Sequence, residues 1–339
     1  MKFPHFLQSA IALVMSIWLT CPSAASAQSD DTPIADQSAA GIKKADAAII
    51  EKVKNLNAEK KLISRDDVKI QLANPRPMAI DLKPTQTQVM SEENVAAAAR
   101  AANFRVGYCY LCPHCDNWHL SLAGGYPIGK DTVATCDHVI DTGTAMREGY
   151  LIVADHDGQI YPVTAIVARS VAMDAAIIRC EGATFSPVAL NKEVKQGSAA
   201  YCYSAPMGQH GYFSDGIINR FFWNQKYTGG EINNLHTCRH LRVNFSTDWA
   251  PGSSGSAVMD RCGNVIGHVS QIASLSKGTA PAYVTIHTGI PAHSVMMLAH
   301  ACEHPEEISQ LCTMEAKENP VKKPETQKPE TKKKAAAQK

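Results

Sequence analysis

With 339 residues, 45% of them apolar, and a formal net charge of +1, the chain has the composition of a globular protein with one large domain or two modest ones. A charge this close to zero gives no bulk electrostatic basis for binding nucleic acid, so none is expected as a partner.

The N-terminus reads as a secretory signal peptide over residues 1–27. Lys2 precedes an apolar run from about Ala10 to Leu19, and Ala25-Ser26-Ala27 supplies the small residues of a cleavage site. The apolar run is too short to span a bilayer comfortably, and no second stretch could cross one. A soluble, exported protein is expected, periplasmic or extracellular. Residues 28–98 then read as a linker-like, partly helical extension. Residues 41–63 have apolar positions at helical spacing, Pro75, Pro77 and Pro84 favour an extended path, and Ser91-x-x-Asn94 resembles a helix cap.

From about Phe104 to Ile290 the chain becomes a succession of short β-branched and aromatic runs separated by Gly, Asn, Asp, Ser and Pro, an all-β pattern of sandwich or barrel type. Near its start, Cys109, Cys112 and Cys115 repeat at Cys-x-x-Cys spacing with His119 close by. Three cysteines and a histidine are a structural zinc set. Disulfides compete, since ten cysteines remain after Cys21 is removed with the leader, and Cys302 and Cys312 are plausible local partners. A redox dithiol at Cys112-Pro113-His114-Cys115 is the third reading, although that motif normally opens a helix.

Further along, DTVATCDHVI delivers His138 at the end of a β-like run, a reasonable place for a general base. MDAAIIRC puts Asp174 directly before a buried-looking strand, where a carboxylate needs a partner. WAPGSSGSAVMD holds Ser253 and Ser254 between Gly252 and Gly255, which reads either as a surface turn or as a nucleophile on a tight loop. Pro291 begins a closing helix. The lysine-, proline- and glutamate-rich tail, 313–339, is expected to be disordered and solvated, with weak contact to anionic surfaces as an alternative.

Six segments in order, VATCDHVI, MDAAII, YFSDGIIN, APGSSGSAV, GNVIGHV and TGIPAHSVMMLA, resemble the trypsin-like serine peptidases, closest to their HtrA-like branch. The order His138, Asp174, Ser254 is the one found on chymotrypsin-type barrels. The resemblance implies two six-stranded antiparallel barrels with a closing C-terminal helix, in a peptidase domain over 99–312. It implies a His138-Asp174-Ser254 triad, an oxyanion hole from the Gly252 and Ser254 amides, peptide substrates and no required cofactor. Asp248 falls near the expected floor of the specificity pocket, where it would favour Lys or Arg. His268 falls near the pocket wall, where it would favour acidic residues if it faced inward. Two rival readings are a catalytically silent peptidase-fold binding module and a zinc or redox protein centred on Cys109–Cys115.

Overall fold

The computed structural model describes residues 37–223, 240–276 and 283–307. The leader at 1–27, the tail at 313–339, Cys238 and Cys312 lie outside the described residues.

The first sheet contains β1 (Phe104–Leu111), β2 (Trp118–Pro127), β3 (Thr132–Thr135), β4 (Glu148–Ala154), β5 (Ile160–Pro162), β6 (Ala165–Ser170) and β7 (Ala175–Arg179). Its order is β5-β4-β1-β2-β3-β7-β6, all antiparallel. It has seven strands where six were expected. Val163 and Thr164 separate β5 from β6, which hold the two opposite edges of the sheet. Two residues cannot bridge a flat sheet, so the sheet must curl until its edges meet. The second unit is a closed barrel of six strands, β8 (Ala199–Ser204), β9 (Tyr212–Trp223), β10 (Leu241–Phe245), β11 (Ala257–Met259), β12 (Val265–Leu275) and β13 (Val284–Pro291), in the order β10-β13-β12-β11-β8-β9. The protein is thus mostly β, with two curled or closed antiparallel units and a C-terminal helix.

Alternation along each strand sorts its side chains. In β1, Phe104, Val106 and Tyr108 fill the first unit with Leu151 and Val153 of β4, while Cys109 faces the other way. Phe245, Trp249, Val258 and Val269 fill the second barrel. A third cluster lies between the two, formed by Tyr126 and Ile128, Met259 and Val265, and Val295 and Leu298 of the closing helix Ala292–Glu303.

The extension belongs to this packing. α1 (Ala39–Ala58) starts at Ser38, whose side chain accepts from the Gly41 amide, and it buries Ile49 and Val53 against Cys109, Tyr150 and Ile152. α2 (Arg65–Ala73), which periodicity did not suggest, begins with a reciprocal Ser64–Asp67 capping box. Its buried Gln71 accepts from the Ile166 amide at 2.8 Å. The proline-bearing stretch runs extended over both units. Arg76 N–H donates to the Ile166 carbonyl and Met90 N–H to that of Arg261. α3 (Glu92–Ala102), capped by Ser91, buries Val95, Ala99 and Ala102.

The expected Cys302–Cys312 pairing lies outside the described residues, because Cys312 does. Among the described residues all eight cysteines are free thiols.

Candidate active site

Four buried residues of β3 lead into a single helical turn, α4 (Asp137–Ile140), anchored by buried Val139 and Ile140. His138 lies between buried Asp137 and Val139, with its side chain half exposed. Thr135 pairs with Ala176 in β7, so the residues just after β3 lie beside those just before β7. That register brings Asp174 to His138. Asp174 holds a left-handed backbone conformation, φ +53°, uncommon for a residue with a side chain. Two carbonyls of its loop are held from the second barrel, where the buried Arg242 guanidinium donates to Met173 at 2.9 Å and Ala172 at 2.6 Å.

His138 Nδ1 lies 2.9 and 3.0 Å from the two Asp174 carboxylate oxygens, and the His138 amide donates to Oδ1 at 3.2 Å. Ser270 Oγ donates to Oδ2 at 2.5 Å. The hydrogen bond to Asp174 raises the His138 pKa above its ordinary value; burial works against this, and the charges of Asp174 and Asp137 add to it. Burial pushes the Asp174 carboxyl up, but the bond to His138, its charge and the Ser270 hydroxyl outweigh burial and hold it low. Asp137 is itself buried and paired with Arg169 through two 2.7 Å contacts, and the same guanidinium reaches Asp141.

The Ser254 turn rests on both units. The Gly124 amide of β2 donates to the Ser254 carbonyl at 2.6 Å, and the Gly255 amide to Val269 at 2.8 Å. Gly252 and Gly255 take φ of +100° and +81°, which glycine alone adopts freely. The Gly252 and Ser254 amides donate to no group among the described residues. Ser254 is partly buried; its hydroxyl and His138 Nε2 make no hydrogen bond to each other or to another described group. The structure therefore brings His138 and Asp174 together and leaves the Ser254 hydroxyl unbonded.

Three expectations need correction. His268 does not line a specificity pocket. Its neighbour Val269 points into the second barrel, so His268 faces the first, fully buried, with Nδ1 3.1 Å from the Tyr126 hydroxyl and Nε2 3.4 Å from the Asp174 carbonyl. Burial lowers its pKa to about 4, which leaves it neutral and unsuited to recruiting acidic side chains. Asp248 is exposed rather than at a pocket floor, its carboxylate 3.5 Å from the Tyr212 hydroxyl and its amide on Ser214 Oγ. Cys109 is separated from the other proposed metal ligands. It opposes Leu120 and joins the core under α1, whereas His119 opposes Tyr110 on the other face. Cys112, Cys115 and His119 do gather, their donor atoms within 4.8 Å of one another.

Ser270 and Arg242 were not anticipated. Strand alternation with His268 was the only sequence signal for Ser270. Arg242 carries none, because its partners lie about seventy residues away.

Residues 124–267 match the model of the trypsin-like peptidase domain. No curated protein matches the chain. Among solved structures the chain is similar to the HtrA-type protease AlgW with a decapeptide, at 18% identity and a TM-score of 0.49, covering 63% of this chain and 68% of AlgW. It is also similar to an inactive form of Rv3671c from M. tuberculosis H37Rv, at 16% identity and a TM-score of 0.47, covering 67% of this chain and 97% of that one. The matched span, 124–267, holds His138, Asp174 and Ser254, so these three residues lie in a stretch similar to the trypsin-like peptidase domain.

Proposed function

We propose that the protein is an exported, trypsin-like serine endopeptidase in which His138 is the general base, Asp174 its orienting partner and Ser254 the nucleophile. One observation carries the reading: a buried carboxylate grips Nδ1 of a half-exposed imidazole whose Nε2 is free. That is the arrangement a base needs, because the carboxylate fixes the tautomer and stabilises the imidazolium. An open serine–histidine distance is common before substrate binds.

In the proposed reaction, His138 Nε2 takes the proton from Ser254 Oγ as the oxygen attacks the peptide carbonyl. The free Gly252 and Ser254 amides donate hydrogen bonds to the developing oxyanion; one such donor is worth about 2.7–4 kcal/mol in the transition state. The tetrahedral adduct collapses, the amine leaves with the proton from His138, and an acyl-Ser254 ester remains. Water, deprotonated by His138, hydrolyses the ester and restores the serine. No cofactor enters.

The unbonded Ser254 hydroxyl is the observation that favours the rival reading, a silent binding module. Hydrolysis of a fluorogenic peptide library separates the two. The proposal expects turnover that disappears in Ser254→Ala and falls about 10⁴-fold in Asp174→Asn. Peptide binding without turnover, unchanged by Ser254→Ala, would establish the module instead.

A further inference from the structure

We infer that the tip of the β1–β2 hairpin is a zinc site with Cys112, Cys115 and His119 as ligands. The loop is closed at its base by the Cys112 amide donating to the Asn117 carbonyl at 2.9 Å, directly after the Leu111–Trp118 pair. Asp116, at φ +54°, turns the chain back after Cys115. Cys112 Sγ accepts from the His114 amide at 3.4 Å, and Cys115 Sγ lies 3.0 Å from His119 Nε2. The loop is pinned from outside: Arg147 pairs with Asp116 at 2.5 Å, and its amide donates to the Leu111 carbonyl. The His119 ring packs beside Tyr110, centroids 5.8 Å apart, which limits its rotation.

The location separates these thiols from the rest. Cys109, Cys136, Cys180 and Cys202 are buried and serve as small core residues. Cys115 and His119 are exposed and Cys112 partly so, where they bury no useful apolar surface. Two thiols and an imidazole converging there are a soft donor set that suits zinc and not magnesium or calcium. Zinc with ligand bonds of about 2.0–2.3 Å sets its donor atoms roughly 3.5–3.8 Å apart. The three atoms lie within 4.8 Å of one another, so a shift of about 1 Å or less meets that geometry. A fourth position faces solvent and is open to water. Binding would release the thiol protons and staple the hairpin tip, an effect independent of His138 and Ser254.

The test is cobalt substitution of the full chain under reducing conditions, followed by zinc competition. The expected result is a near-ultraviolet thiolate-to-cobalt band with intense four-coordinate visible bands, bleached by about one equivalent of zinc. Cys115→Ser should weaken the thiolate band. His119→Ala should keep it while lowering affinity at least about tenfold. Cys262→Ser, remote from the hairpin, should change nothing. An unchanged spectrum in a chain whose Cys112 and Cys115 titrate as free thiols overturns the proposal. So does a spectrum that survives loss of both, or a Cys112–Cys115 disulfide that forms in the presence of equimolar zinc, which would mark a redox pair.

Discussion

At Gly124 a single hydrogen bond ties β2 of the first unit to the Ser254 carbonyl of the second. A Cβ at that position would run into the Ser256 amide and hydroxyl, and backbone cannot move aside as a side-chain tip can. Gly124→Ala should therefore cost about 1–3 kcal/mol of stability and displace the Ser254 turn. Its rate of peptide cleavage should drop at least about tenfold while the circular dichroism spectrum stays native. The pH profile tests His138. With His138 as the proposed base, cleavage would need the neutral imidazole; the Asp174 hydrogen bond raises its pKa, so the rate should climb with pH through an apparent pKa above 6.5. Asp174→Asn should move that midpoint down, and a midpoint unmoved in the variant would show that another group titrates. His138 and Asp174 could be singled out in the sequence because one ends a β-like run and the other precedes one, and Ser254 because glycines bound its turn. The orientations of His268, Asp248 and Cys109 were not legible. A one-residue change in which side chain faces inward reverses the reading, and register and partner strands decide that.

Among the elements, the β pattern and the helices at 39–58 and 92–102 could be read from periodicity and caps. α2 has only nine residues, and its apolar face is too short to stand out. What spacing could not reveal is that the extension completes the fold. Ile49, on the buried face of α1, is 5% exposed, so Ile49→Ala should destabilise the protein by about 2–5 kcal/mol, read as a lowered denaturation midpoint. A mere tether would leave that midpoint unmoved. The α4 turn that carries His138 depends on Arg169, whose side chain and that of Asp137 are 8% and 6% exposed. Arg169→Met would strand a buried carboxylate and should cost about 3–5 kcal/mol, whereas Asp137→Asn with Arg169→Met together should cost less than the first alone.

At the scale of the whole molecule, the candidate site is assembled where the two units meet, and buried polar groups join them there. Arg242, His268 and Ser270 of the second barrel all touch the Asp174 loop of the first. His268 makes this junction sensitive to acid. Its folded pKa of about 4 lies below the ordinary 6.5, so the unfolded chain takes up a proton that the folded chain refuses. Stability from this group is complete above about pH 6.5 and is lost as pH falls toward 4, by about 3 kcal/mol. His268→Gln should flatten that part of the stability curve in denaturant titrations at successive pH values. The central claim, however, is the reactivity of Ser254, and one measurement addresses it directly. The folded chain is treated with a fluorophosphonate, and the modified residue is located by peptide mass mapping. A single adduct on Ser254 that is lost in His138→Ala is expected. A folded chain that takes no label, or takes it at another residue, would contradict it.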